Sequence, residues 1–418
     1  MPTLHHLFSH LKNNGIKAKH LYLLGVMALF WTVFDSIIQY ITPLILSERG
    51  FSNTILGIII GSSSIAGAFF DFLMSRFIVR VDFRRIFMVM FAICFIYPFV
   101  LWQAKTVWLF LALMAVWGVY YDLYNFGVFN FISHFTKKEE HSPSFGVMLV
   151  FRSLGGILAP LIIGLVIIET INWRVLALGW LFLLIGFVFF LVLLVLIKKK
   201  GIIEKQESNP HKSFFSEINL WYKISHHLWP ILILTMLLYS VEAFFWTLGP
   251  LFAETLKLGQ FSGLFLMIYA LPSLLVGWFV GVVTKKFGSQ RTAFLTFLGG
   301  SLCLVLFFFL PHSAIILPFT FLAGCFFALS LPSVNGIYAD CIYNSIMIEE
   351  EIESLEDFAT NMGYVLGPII AGVLADLLGL IKSFSIIGII GVIMSFFLLF
   401  FAPKKIIVSK KLNNLTSK

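Results

Sequence analysis

The chain has 418 residues, of which 59% are hydrophobic and 12% charged, with a mean hydropathy of +0.96. Soluble domains run to about 25% charged residues, so no soluble core could hide this much apolar side chain, and the composition is that of a polytopic membrane protein. The net charge of +8 reads as topology and contact with anionic lipid rather than nucleic-acid binding.

Twelve apolar runs follow along the chain, near residues 20–46, 53–75, 85–103, 107–133, 144–168, 173–197, 228–253, 261–284, 292–311, 315–341, 357–379 and 382–402. At about 1.5 Å per residue each can cross a hydrocarbon layer of roughly 30 Å, and each is too long for a barrel strand. The expected fold is an all-α membrane protein with twelve transmembrane helices. The segment 198–227, rich in Lys, Ser and Asn, interrupts the series after six runs. The chain thus divides into a six-helix bundle at 1–197, a cytoplasmic linker at 198–227, and a second bundle with a tail at 228–418. An amphipathic stretch around Phe214 to Trp221 reads either as an interfacial helix on the inner leaflet or as a plain tether.

Basic residues set the orientation, because Lys and Arg beside a span resist translocation. One assignment leaves only Arg49, Lys105, Arg174, Lys257 and Lys382 outside and puts the dense clusters Lys198 to Lys223 and Lys404 to Lys418 inside. Both termini are then cytoplasmic. The first run is too long for a cleavable signal peptide and lacks a small-residue cleavage site.

The two halves resemble each other. GGILAPLIIG at 155–164 returns as GYVLGPIIAG at 363–372, so that Gly155, Pro160 and Gly164 recur at Gly363, Pro368 and Gly372 with an offset of 208. Asp35, Pro43 and Leu44 map onto Glu242, Pro250 and Leu251 at 207, and Gly57 onto Gly263 at 206. A duplicated chain with a duplicated intramembrane acid suggests two pseudo-symmetric halves around a shared site, the architecture of a transporter. Pro160 and Pro368 each remove a helix hydrogen bond, and Gly363, Gly367 and Gly372 permit close helix approach.

At Gly281 to Arg291 the chain reads GVVTKKFGSQR, which resembles the loop signature GxLaDrxGrkx of the major facilitator superfamily. SRFIVRVDFRR at Ser75 to Arg85 is a worn copy in the first half, with Arg76, Arg80, Asp82, Arg84 and Arg85. In the family this loop belongs to the cytoplasmic gate, which the resemblance carries to Gly281, Lys285, Lys286, Gly288 and Arg291. The family's Asp is replaced by Val79 and Lys285, and Asp82 stands in place of the motif's Gly. An acidic block at Glu349, Glu350, Glu351, Glu353, Glu356 and Asp357 offers a substitute gating contact for the arginine loop, or else a solvated acidic helix start.

A charge at mid-helix costs roughly 2.5 to 3.5 kcal/mol on insertion scales and normally has a role. Asp35 and Glu242, in the first run of each half, are candidates for proton coupling, as is Asp122. Asp122 and Arg152 lie at similar depth and either pair with each other or contribute separately to a cavity. The resemblance implies a central cavity walled by runs 1, 4, 7 and 10. Its expected lining includes Trp31, Gln39, Tyr121, Tyr124, Asn125, Arg152, Tyr239, Trp246 and Asn335, aromatic and polar in the way that suits an amphipathic or cationic organic molecule.

No GxxxxGK[ST], HExxH or GxSxG occurs, so the chemistry of ATP-driven pumps and common hydrolases is missing, and the chain does not read as an enzyme. His5, His6, His10, His226 and His227 form no paired ligand set, so neither metal nor cofactor is expected. The expected activity is secondary transport of a small organic solute by alternating access. It is taken to be proton-coupled, export-favoured and carried out by a monomer in the plasma or inner membrane. The alternatives are a proton-independent facilitator and a non-transporting receptor or regulator on a decayed transporter scaffold.

Overall fold

The computed structural model describes residues 15–77, 82–136, 141–166, 172–197, 214–256, 258–276, 279–310, 314–344, 348–403 and 406. Among them every regular element is helical. The first half contains α1 (Gly15–Glu48), α2 (Asn53–Phe77), α3 (Phe83–Gln103), α4 (Val107–Phe135), α5 (His141–Val166) and α6 (Trp173–Leu196). The second contains α7 (Phe214–Thr255), a broken α8, α9 (Ser289–Leu306), α10 (Ile316–Asn344), α11 (Glu349–Leu378) and α12 (Leu380–Phe401). The pieces of the broken helix are α8a (Leu264–Ala270), α8b (Pro272–Val276) and α8c (Val280–Phe287). Eleven of the described helices are long and apolar enough to cross a membrane, or twelve if α8 counts as one span.

α8 is interrupted at Leu271, the kink expected of Pro272, which has no N–H to donate and whose ring disfavours a helical residue before it. Two other elements differ from expectation. α7 begins at Phe214, not near 228, so the amphipathic stretch is the start of one 42-residue helix. No glycine or proline lies between 214 and 229 to stop it. At 1.5 Å per residue α7 is about 63 Å long, well beyond a hydrocarbon layer of about 30 Å. α11 begins at Glu349, so the acidic block is helical, and Glu351 is buried at 6% exposure. Acids in a first turn are favoured by the helix dipole. The rest of the linker, 198–213, lies outside the described residues.

Two compact units emerge, and each borrows from the other half of the sequence. Residues 1–50, 62–204 and 259–267 belong to the first, and residues 51–61, 205–258 and 268–418 to the second. In the first unit α1 packs on α5 and α6, and α3 on α4; in the second α7 packs on α11, and α9 on α10 and α12. Glycines set the closest approaches. A Cβ at Gly155 would stand 2.8 Å from the Leu29 carbonyl oxygen of α1, and one at Gly363 would stand 2.6 Å from the Met236 carbonyl oxygen of α7. Leu29 and Met236 are themselves 207 apart, so the repeat preserves a backbone contact.

The borrowed segments repeat a second contact. Gly57, at the start of α2, lies against the Pro368 carbonyl of α11 inside the second unit. Gly263, just before α8a, lies against the Pro160 carbonyl of α5 inside the first. At both, an added Cβ would fall far inside the 3.0 Å that real Cβ atoms keep. The N-terminus of α2 is further held by Asp376 of α11. Its carboxylate accepts from the Asn53 amide N–H (3.0 Å) and Nδ2 (2.9 Å), and from the Thr54 amide N–H (2.8 Å) and Oγ1 (2.6 Å).

The worn loop copy has a local explanation. Gly288 joins α8c to α9 at φ +84°, a conformation that favours glycine. Its counterpart Asp82, 206 residues earlier, has φ −61° and ψ 135° and caps α3 by accepting from the Arg84 N–H at 3.2 Å. A capping carboxylate at negative φ replaces the glycine without strain.

Candidate functional site

Asp35 sits two-thirds of the way along α1 and is buried at 4% exposure. Two donors from α4, one turn apart, meet its Oδ1: Trp117 Nε1 at 3.0 Å and the Tyr120 hydroxyl at 3.0 Å. A buried carboxylate with two donors on one oxygen is stable in apolar surroundings and can still take a proton on the other. Aromatic rings pack around it. Trp31, one turn before Asp35, stacks flat on Tyr124 with centroids 3.9 Å apart, and Tyr97 of α3 meets Tyr120 edge-on at 5.4 Å.

Arg152 of α5 lies within electrostatic reach of Asp35. Its guanidinium donates to the Tyr121 hydroxyl and to Asn125 Oδ1, the latter at 3.3 Å, and stands 5.4 Å from the ring centroids of both Tyr121 and Tyr124. The pairing of Asp122 with Arg152, one of two readings of the sequence, is therefore not formed. Asp122 faces α2 instead, where its Oδ2 would be 3.0 Å from a Cβ on Gly67. Similar depth did not bring the two together because residues 121 and 122 point about 100° apart around a helix.

Tyr124, Asn125 and Arg152 form the polar end of a cavity of about 660 Å³ between α4 and α5. Its other walls include Val128, Phe129, Phe145, Met148 and Leu149. Sequence reasoning missed this apolar arm, although it left a signal. Tyr121, Asn125 and Phe129 are spaced by four, and Phe145, Leu149 and Arg152 by four and three, so each set shares one helix face.

The remaining candidates are distributed unevenly. Trp31 is fully buried and does not line the cavity, because Tyr124 covers its face. Gln39 is half-buried one turn beyond Asp35. In the second unit Glu242 and Trp246 are half-buried on α7, with Tyr239 one turn earlier packed on Tyr364 of α11 at 5.2 Å, while Asn335 is exposed on α10. Gly363 and Gly367 are in the α7–α11 contact, against the Met236 and Ser240 carbonyls. Arg84 donates to the Ile197 carbonyl at 2.9 Å and lies 3.8 Å from Asp82, within its own unit, whereas Arg85 and Arg291 are exposed. Lys285 and Lys286 close α8c, where cations suit the helix dipole, and Gly281 has open space beside it. Arg80 and the side chains of Arg76 and Glu350 lie outside the described residues.

The fold and its sequence pattern have known counterparts. The nucleoside transporter NupG shares 15% identity at a TM-score of 0.74, covering 93% of this chain and 100% of that one. A bacterial homologue of the human lysosomal transporter Spinster, in an inward-facing unoccupied conformation, shares 12% at a TM-score of 0.69, covering 97% and 98%. At such identities the likeness shows the fold alone. No curated protein matches. The family model of the Major Facilitator Superfamily matches residues 23–345, most of the chain. Together with the helical spans and the repeated halves, that match makes this protein a member of the Major Facilitator Superfamily.

Proposed function

We propose that this protein is a proton-coupled secondary transporter that exports a small amphipathic organic solute by alternating access, with Asp35 as the proton site. The family supports transport as such. The coupling rests on one observation: a buried carboxylate whose two donors occupy one oxygen, with a cation in electrostatic reach. Protonation of Asp35 would leave Arg152 without a countercharge, so proton and solute occupancy are linked through the same pair of charges. A proton moving inward supplies about 2.3 kcal/mol per 100 mV from the potential term. Of the two solute chemistries expected from sequence, the amphipathic one fits an apolar cavity with a polar end, and a cationic solute would face Arg152. The reading includes cytoplasmic termini, a monomer and the cell's plasma or inner membrane.

Flux into proteoliposomes with and without an imposed pH gradient tests it. Gradient-driven accumulation that disappears in Asp35→Asn supports the proposal. Flux that ignores the gradient makes the protein a facilitator, and no flux across a broad solute panel returns the receptor reading.

A further inference from the structure

We infer that the cavity between α4 and α5 binds an amphipathic anion, with its acidic head against Arg152, Tyr124 and Asn125 and its apolar tail or ring along Phe129, Phe145 and Leu149. The inference rests on the reading of this unit as solute-binding and adds the chemical class of the solute. Four observations carry it. First, Arg152 is the one charged residue on the cavity wall among the described residues. Second, its described polar partners are a hydroxyl and an amide oxygen, both neutral, and no described carboxylate lies within ion-pair distance. A guanidinium has five N–H donors, so three remain after those two bonds. Third, Tyr124 is also on the wall, and its hydroxyl, buried in a residue 1% exposed, has no hydrogen-bond partner among the described residues. Buried polar groups are nearly always bonded, so a guanidinium with unmet donors on a cavity wall marks a place for an acceptor. Fourth, the far arm leaves Phe129 at 59%, Phe145 at 38% and Leu149 at 64% exposure.

The charges also decide the sign. Asp35, within reach of Arg152, already accepts from Trp117 and Tyr120. A cationic head in this cavity would stand against the guanidinium with no carboxylate on the wall to offset it. A carboxylate, sulfonate or phosphate head would take bidentate or branched hydrogen bonds from Arg152, the geometry in which guanidinium is strongest. The volume of about 660 Å³ falls in the usual range for a small-molecule pocket, about 300 to 1,000 Å³. Such a ligand has two possible sources, a free amphipathic solute and an anionic bilayer lipid.

The test uses the full chain in phosphatidylcholine nanodiscs and three probes with one tail: octyl phosphate, octanol and octyltrimethylammonium. Binding is read by tryptophan fluorescence and thermal unfolding, with empty nanodiscs as the reference. Octyl phosphate is expected to bind at least about tenfold more tightly than either of the others, the factor a charge-assisted hydrogen bond supplies. Arg152→Gln should reduce that preference to within about twofold, and Arg152→Lys should keep part of it. Should Arg152→Gln fail to fold, Asn125→Ala serves instead, with a smaller loss of preference expected, because Asn125 is the exposed wall residue that accepts from Arg152. Adding phosphatidylglycerol to the discs separates the sources: competition with octyl phosphate makes the lipid an occupant, and its absence leaves the free solute. Equal or tighter binding of octyltrimethylammonium, a preference that survives in Arg152→Gln, or no saturable binding of octyl phosphate overturns the inference. Gradient-driven flux without head-group preference would sink this inference alone, and preference without gradient dependence would sink the coupling alone.

Discussion

Replacing Asp35 separates its structural role from its proposed chemical one. In Asp35→Asn the amide oxygen can take the place of Oδ1 and accept from both Trp117 Nε1 and the Tyr120 hydroxyl, each now at 3.0 Å. Only the charge and the protonatable oxygen are lost, so stability is expected to stay within about 1 kcal/mol of the parent. Asp35→Ala removes the acceptor itself and leaves two buried donors unmet, at about 1 to 3 kcal/mol each, or about 2 to 6 kcal/mol together. Thermal unfolding of the purified variants should therefore rank Asp35→Asn beside the parent and Asp35→Ala well below it. In proteoliposomes Asp35→Asn should keep solute exchange at zero gradient while losing accumulation driven by a pH gradient. If Asp35→Asn accumulates solute as the parent does, the proton site is elsewhere. If it unfolds as early as Asp35→Ala, the carboxyl is a structural anchor and its isolation from water has no role in coupling.

Gly57→Ala is expected to part α2 from α11, because its Cβ would overlap the Pro368 carbonyl and neither backbone can rotate away. Overpacking costs about 1 to 3 kcal/mol, so disulfide trapping between Thr54→Cys and Asp376→Cys, with the four native cysteines replaced, should slow by about tenfold or more. An unchanged rate would mean that the two helices do not hold this contact. Asp376→Asn removes two of four acceptor positions and a charge at the N-terminus of α2. Because the carboxylate is exposed, the loss is discounted to about 1 kcal/mol, seen as severalfold faster amide exchange at residues 53–56; exchange equal to the parent refutes it. Glu242→Gln should retain gradient-driven accumulation that Asp35→Asn lacks, and equal loss in both would assign coupling to the two acids jointly.

The sequence revealed the fold through features that are local and redundant. Long apolar runs, their number and the charge of the loops between them are visible residue by residue, since a membrane imposes one solution on any segment of that length. The small-residue contacts were legible for a different reason: Gly57, Gly263, Pro160 and Pro368 are repeated, and what a repeat keeps is its packing. The site was harder. Asp122 and Arg152 were expected at similar depth, yet depth is only one cylindrical coordinate, and the angle around the helix put Tyr121 rather than Asp122 on the arginine. Trp31 illustrates the same limit. An aromatic one turn from an intramembrane acid reads as cavity wall until a neighbour, here Tyr124, is seen lying flat across it.

The duplication that built the scaffold did not duplicate the chemistry. Asp35 and Glu242 occupy equivalent positions, but the donors that hold Asp35 have no equivalents: at the 206 offset by which Gly118 and Gly324 pack on the Ser63 and Tyr269 carbonyls, Trp117 corresponds to Ala323 and Tyr120 to Phe326, neither with a side-chain donor. Asp122 likewise corresponds to Ala328, and Arg152 at the 208 offset to Thr360. The first-half acid is accordingly 4% exposed and bonded to two α4 side chains, whereas its counterpart on α7 is only half-buried. Backbone contacts made by glycine and proline tolerate little change, because one added methyl group meets a carbonyl. Side chains facing a cavity meet no such constraint and drift apart between halves. The proposed solute and proton sites accordingly both lie in the asymmetric first half.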